Sequence, residues 1–206
     1  MLLWRLVRGA TASIAIVAIF VQAKTLADAG ALDVVNFFSY FTIQANLIGI
    51  AVLLIMAAVG SRHRPVGLEG LRGAATVYLT ATFVVVIALL QNVDVGLQLG
   101  WVDVVLHKVT PVVIVLDWLI DPPYVPMSWR RALTWLAYPL VWLGYTLVRG
   151  SIVGWYPYPF LNPANGGYGQ VATTVVIVLV ASAVVCLFYA WLGTVLGARR
   201  RRRESL

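Results

Sequence analysis

The sequence predicts an all-α, polytopic membrane protein: six transmembrane helices in one bundle, with both termini cytoplasmic. Three observations predict it. Of 206 residues, 61% are apolar and only 11% charged, whereas a soluble domain carries about a quarter charged residues. Six apolar stretches follow one another, each of about 17 residues or more and so able to cross the bilayer core as a helix. The basic residues fall between these stretches on alternate sides, as loop charges that set orientation do.

Taken in order, the segments are Leu6 to Ala23, Val34 to Val59, Ala74 to Leu90, Val102 to Ile120, Ala132 to Val148 and Val171 to Leu196. The first also fits a secretory signal, since Arg5 and Arg8 precede it and Ala27-Asp28-Ala29 resembles a cleavage site. The orientation of the other five is the same either way. Arg5, Arg8, Arg62, Arg64, Arg72, Arg130, Arg131 and Arg199 to Arg203, twelve of the fifteen Lys and Arg, lie on one side. The other side has Lys24 and Arg149, while Lys108 lies within a segment. The positive-inside rule then makes both termini cytoplasmic and the loops after the first, third and fifth segments outward.

The loops differ in composition. Residues 60–73 are basic and Gly-rich, with His63 an ordinary solvated residue, and Asp121-Pro122-Pro123-Tyr124-Val125-Pro126 is a stiff turn. The outward loop Gly154 to Tyr168 carries Trp155-Tyr156-Pro157-Tyr158-Pro159-Phe160-Leu161-Asn162-Pro163, an aromatic belt at the interface or a lid over a pocket. Nothing divides the chain, which reads as one domain over 1–206 with 198–206 a basic cytoplasmic tail.

The net charge of +7 does not point to nucleic acid, because its largest block is that tail. The tail's expected partner is the headgroup of anionic lipid. The single cysteine, Cys186, sits in an apolar run and excludes an intrachain disulfide. No metal-ligand spacing, phosphate loop or dinucleotide fingerprint occurs, so no cofactor is expected.

Polar residues inside apolar segments mark the candidate site. In the second segment Ser39, Thr42 and Asn46 share one face of a continuous helix, with Gln44 roughly opposite. The plainer reading is that Thr42 bonds back to a carbonyl one turn earlier. In the fourth segment His107 is an ionisable group at membrane depth, a functional candidate on cost alone. Asp103, one turn before it, can accept a ring N–H and fix the tautomer, and adjacent Lys108 favours the neutral ring. The second and fourth segments run in the same direction, and both Thr42 and His107 lie roughly 8 to 12 Å below the outer boundary. A hydroxyl level with an imidazole is the minimum for nucleophilic catalysis. Asn46 is a candidate oxyanion donor. Trp135, Tyr138, Trp142, Tyr145 and Arg149 form an aromatic stripe ending in a cation. The stripe reads as packing or as a pocket wall in which Arg149 or Lys108 holds a substrate carboxylate. Asp117, about 15 Å deeper than His107, reads as structural.

The segments Phe38-Ser39-Tyr40-Phe41-Thr42-Ile43-Gln44-Ala45-Asn46, His107-Lys108-Val109-Thr110-Pro111 with Asp117-Trp118, and Tyr156-Pro157-Tyr158-Pro159-Phe160-Leu161 resemble one family. It is that of the androgen-induced and androgen-dependent TFPI-regulating membrane proteins of animals, with their bacterial six-span relatives. Pro111 stands one place off the animal pattern, so the histidine is matched by its spacing to Asp117. The resemblance implies an intramembrane threonine hydrolase of fatty acid esters of hydroxy fatty acids or similar lipid esters, with Thr42 as nucleophile and His107 as base. The expected partner is then a lipid substrate in the cell membrane. The alternative is a non-enzymatic lipid-binding or transport protein using the same polar pocket. A proton-linked carrier using His107 and Asp103 ranks below both, since the chain lacks the paired Gly/Pro-broken helices of transporters.

Overall fold

The computed structural model describes residues 2–60, 64–90 and 99–204, and His63 lies outside them. Among the described residues there are helices and turns and no strand. Nine α-helices are distinguished there: α1 (Leu2–Asp28), α2 (Val34–Ser39), α3 (Phe41–Val59), α4 (Val66–Leu89), α5 (Gly100–Val104), α6 (Thr110–Ile120), α7 (Trp129–Leu133), α8 (Ala137–Val153) and α9 (Gly167–Glu204). Five stretches are long and apolar enough to cross a membrane: α1, α3, α4, the run Trp129–Val153 that joins α7 to α8, and α9.

Two of the expected helices are interrupted, and both interruptions have local causes. The segment Val34 to Val59 breaks at Tyr40, whose φ of −65° and ψ of 126° are extended. Asp33 caps α2 by accepting the Asn36 N–H at 2.9 Å, which starts a first short helix. At the break, side chains take over carbonyls that a continuous helix would use: Trp142 Nε1 donates to Ser39 O at 2.9 Å and Gln44 Nε2 to Phe38 O at 2.8 Å. The expected single face of Ser39, Thr42 and Asn46 is therefore corrected. Ser39 ends α2, and only Thr42 and Asn46 share α3.

The second interruption lies in the fourth segment. The chain is helical from Gly100 to Ile120, but Val105–Val109 form a π-helical turn between α5 and α6. Pro111 accounts for it: proline has no N–H to give the carbonyl of His107 and its ring crowds that carbonyl. Thr110 instead sends both its N–H and its hydroxyl to Val105 O, the latter at 3.0 Å. A π-turn widens the helix and often accompanies a functional side chain.

Close helix approach depends on small residues. Ala12, Ala15 and Ala18 on α1 are fully buried, where small side chains let neighbouring backbones approach. At Gly49 on α3 an added Cβ would stand 2.6 Å from Leu79 Cδ1 and 3.7 Å from Ile114 Cδ1, so this glycine sets the approach to α4 and α6. Gly73 is tighter still, since a Cβ there would run into the Trp135 ring.

The basic residues hold the largest surprise. Arg8, Arg64 and Arg72, expected as loop charges, are at most 5% exposed. Arg8 pairs with Asp117 at 2.5 Å and Asp121 at 2.7 Å; Arg64 with Glu69 and Asp121, both at 2.7 Å; Arg72 with Glu69 at 2.6 Å and Asp117 at 2.8 Å. Arg200 joins from α9, 2.5 Å from Asp121. Burial alone would raise the Asp121 carboxyl, but hydrogen bonds from Arg64 and Arg8 and the charges of Arg64 and Arg72 hold it well below the usual range. The start of the basic tail is tied to the same region. Helix α9 runs on to Glu204, and Arg201 donates to Tyr124 O beside the Arg200 pair. Asp117, read as structural, is one hub of the cluster and also accepts from Trp4 Nε1 at 2.8 Å.

Candidate active site

The site is assembled where the first turn of α3 meets the π-turn. Tyr40 is the N-cap of α3, so Thr42 is its second residue and its N–H has no carbonyl one turn back to bond. That N–H donates to Tyr158 Oη at 3.2 Å, and Thr42 Oγ1 lies 3.3 Å from the same Oη. On its other side Thr42 Oγ1 is 3.2 Å from His107 Nε2. The helix break thus frees a threonine from ordinary helix bonding and presents it to two polar partners.

Behind His107, Nδ1 lies 2.8 Å from Asp103 Oδ1, one turn earlier. The carboxylate sits off the axis of the ring N–H, so the contact is an electrostatic one more than a straight hydrogen bond. It nonetheless favours the proton on Nδ1, which leaves the Nε2 lone pair facing Thr42. The His107 side chain is 2% exposed and that of Asp103 is 40%, so the row runs from a dry hydroxyl to a wet carboxylate.

Tyr158 comes from the aromatic loop between α8 and α9. Helix α8 ends at Gly154, whose φ of +70° is a left-handed cap that glycine adopts without strain. The chain then turns inward, burying Tyr158 and Leu161. Tyr158 stacks on Phe160 at 5.3 Å and meets Tyr40 edge-on at 5.8 Å. Burial pushes the Tyr158 phenol up, against the pull of its Thr42 bonds, so it stays a protonated donor. Sequence reasoning did not single out Tyr158. Its one signal was the alternation of aromatics and prolines, which suggested a lid without saying which ring points in.

Two cavities meet at Thr42. One, of about 180 Å³, is lined by Asp33, Asn36, Tyr40, Thr42, His107 and Trp155 together with apolar residues of α1 and α2. The other, of about 90 Å³, lies among α3, α4, α8 and α9 with Tyr158 and Phe160 in its lining. His107 lines the first and not the second.

The remaining sequence candidates are placed as follows. Asn46 is fully buried, and its amide nitrogen donates to Thr42 O at 2.9 Å and Leu106 O at 3.0 Å. Both N–H groups are committed, so the expected oxyanion donor is corrected to a clasp between α3 and the π-turn. Ser39 donates to Val35 O at 2.7 Å and lies 3.4 Å from Tyr145 Oη. Gln44 accepts from Tyr138 at 2.8 Å. Neither Ser39, Gln44 nor Tyr145 lines either cavity beside Thr42. Lys108 is exposed and lines neither. Arg149 donates to Asn36 Oδ1 at 2.7 Å and stacks over Trp155 at 5.3 Å, behind the wall of the larger cavity rather than in it. Of the aromatic stripe, Trp142 lines the smaller cavity. Among the described residues no cluster of three or more His, Cys, Asp or Glu suited to a metal occurs. The chain matches no family model, no curated protein and no solved structure.

Proposed function

We propose that the chain is an intramembrane hydrolase of lipid esters in which Thr42 is the nucleophile and His107 the general base. The observation that carries this reading is the row Thr42 Oγ1, His107 Nε2, His107 Nδ1, Asp103 Oδ1, joined at 3.2 Å and 2.8 Å and bordered by two cavities. A threonine hydroxyl is a poor nucleophile until a neighbouring base takes its proton. The row supplies the base, its orienting acid and the space for a substrate.

Thr42 Oγ1 attacks the ester carbonyl carbon and its proton passes to His107 Nε2. The oxyanion is stabilised by the Tyr158 hydroxyl, whose proton is free to donate because its oxygen accepts the Thr42 N–H. The bond to the alcohol oxygen breaks as His107 returns the proton to that oxygen, leaving an acyl-threonine. Water then gives a proton to His107 and attacks the acyl carbon, the bond to Oγ1 breaks, and Oγ1 recovers the proton. Asp103 steadies the imidazolium formed in each half-reaction.

The setting is a cell membrane crossed six times with both termini cytoplasmic. Gly100 to Ile120 is about 31 Å of helix at 1.5 Å per residue, long enough for the sixth crossing despite its π-turn. The resemblance of the three short segments around Thr42, His107 and Tyr158 to the animal threonine hydrolases points the same way, and lipid esters are the substrates it suggests. The test is purified protein offered lipid esters and an alkyl fluorophosphonate, with Thr42→Ala and His107→Ala as controls. Turnover and labelling are expected in the wild type alone; equal turnover in all three would end the proposal. Reversible binding of intact ester by the wild type, with no acyl adduct in intact-mass spectra, would favour the lipid-binding alternative.

A further inference from the structure

We infer that Thr42 divides its substrate: the acyl chain occupies the cavity among α3, α4, α8 and α9, and the alcohol half, with the hydrolytic water, occupies the cavity beside His107. This rests on the hydrolase reading and adds to it the class of ester cleaved. Thr42 lines both cavities, so an ester carbonyl bonded to Oγ1 has one space for each of its two substituents. The choice between the two follows from where the proton is needed. His107 must protonate the departing alcohol oxygen and later deprotonate water, and it lines only the larger cavity.

The walls agree with that assignment. The smaller cavity is bounded by Val77, Ala81, Val85, Leu143, Val178 and Leu179, side chains that suit a hydrocarbon chain and offer it no charge. Ala81, Val85, Val178 and Leu179 are only half-buried, so this cavity opens sideways on the flank of the bundle, the direction from which a chain dissolved in a bilayer arrives. Tyr158 also lines it, and its hydroxyl, 3.3 Å from Thr42 Oγ1, is within reach of the carbonyl oxygen of an ester attacked there. In the larger cavity Asp33 and Asn36 are polar wall residues, and no Lys or Arg lines it. Arg149 is engaged with Asn36 and Trp155 outside it. With Asp33 and Asn36 in its wall, this cavity suits a polar alcohol half, as a glycerol-like one is. The substrate class is an apolar acyl ester of such an alcohol.

The experiment uses the full-length protein in detergent or nanodiscs and two libraries. In one, the acyl chain runs from two to eighteen carbons on a glycerol-like alcohol. In the other, a sixteen-carbon acyl chain is held constant on glycerol-like or straight-chain alkyl alcohols. Ala81→Phe and Val178→Phe, which fill the apolar cavity, are expected to lower the ratio of long-chain to short-chain turnover at least tenfold. Leu32→Phe, in the other cavity, is expected to change alcohol preference and leave the chain-length ratio within twofold. Glycerol-like alcohols are expected to exceed alkyl ones at least tenfold, and equal turnover of the two would overturn the assignment of the alcohol half to the polar cavity.

A hexadecyl fluorophosphonate bearing a terminal diazirine gives a readout that does not need turnover. Its cross-links are expected in α4 and in the Val175–Ser182 stretch of α9. Cross-links confined to α1 and α2, or a chain-length ratio moved by Leu32→Phe and not by Ala81→Phe, would overturn the division while leaving the hydrolase intact. A wild type that takes up a diazirine-tailed palmitate in the apolar cavity but forms no fluorophosphonate adduct would instead take down the hydrolase reading, and the division with it.

Discussion

At one end of α3 and of the Gly100–Ile120 segment, three carboxylates and four guanidinium groups lock together at 2.5 to 2.8 Å. At the other end, Thr42, His107, Asp103 and Tyr158 meet at 2.8 to 3.3 Å with a cavity on either side. Both ends bury polar groups at a cost that demands compensation. At the Arg8 end the compensation is charge against charge, and neither cavity beside Thr42 reaches it. At the Thr42 end the groups are linked in single file and border empty space. A buried charge closed in by its opposites braces a fold, whereas a chain of proton donors and acceptors beside a cavity can move a proton onto something that enters it.

Substitution at each end should therefore produce opposite phenotypes. Thr42→Ala is expected to lower ester hydrolysis by ~10³-fold or more, as loss of a nucleophile does, with thermal unfolding in detergent changed little. Asp121→Ala leaves Arg8, Arg64 and Arg200 short of a partner, and breaking a buried pair costs about 3 to 5 kcal/mol. Its expected signature is a large fall in unfolding temperature, with residual activity in whatever fraction stays folded. A folded, inactive Asp121→Ala beside an unfolded Thr42→Ala would reverse the comparison.

A smaller effect sharpens the division within the site. Asp103→Asn keeps the shape of the side chain but removes the charge beside Nδ1. Hydrolysis is expected to fall by about 10²-fold, the scale of general acid–base assistance, without loss of stability, because Asp103 is partly exposed. Equal stability loss in Asp103→Asn and Asp117→Asn would mean that Asp103 belongs to the bracing class instead.

Backbone packing is next in size. Gly73→Ala forces the Trp135 ring aside, and overpacking of this kind costs roughly 1 to 3 kcal/mol. The change should appear in unfolding temperature and leave the hydrolysis rate per folded molecule alone, since Trp135 borders neither cavity at Thr42.

What could be read from sequence follows from which properties are one-dimensional. Depth along a helix is set by residue count, so two parallel-running segments could be compared, and the 3.2 Å contact of Thr42 with His107 lies within reach of that arithmetic. Spacing also put Asp103 one turn from His107. Loop paths have no period, so Tyr158 was out of reach, although it is the second partner of Thr42. The break at Tyr40 was hidden for a related reason: it is held by Trp142 and Gln44 side chains, and no glycine or proline marks it. The arginines misled in a different way. Charge between apolar segments suggests a solvated loop, and only the positions of Glu69, Asp117 and Asp121 in space reveal that Arg8, Arg64 and Arg72 are neutralised inside the bundle. Spacing puts Asn46 one turn from Thr42 on the same face, but the pattern cannot say that carbonyls already occupy its amide.

The smallest effect expected is on acid stability, and its sign follows from the Asp121 carboxyl being held low. A group whose folded value lies below its unfolded value of about 4 stabilises the protein at every pH above that value. The contribution is lost only as pH falls through the depressed folded value, when protonation breaks the contacts with Arg8 and Arg64. The stability gap between wild type and Asp121→Asn should therefore be constant from pH 8 to about 5 and close progressively below about 4. Chemical unfolding of both proteins in one detergent across that range measures it. A gap that closes between pH 7 and 6 would show that the guanidinium contacts do not hold the carboxyl down, and the bracing end of the molecule would then lose the charge-on-charge character that sets it apart from the Thr42 end.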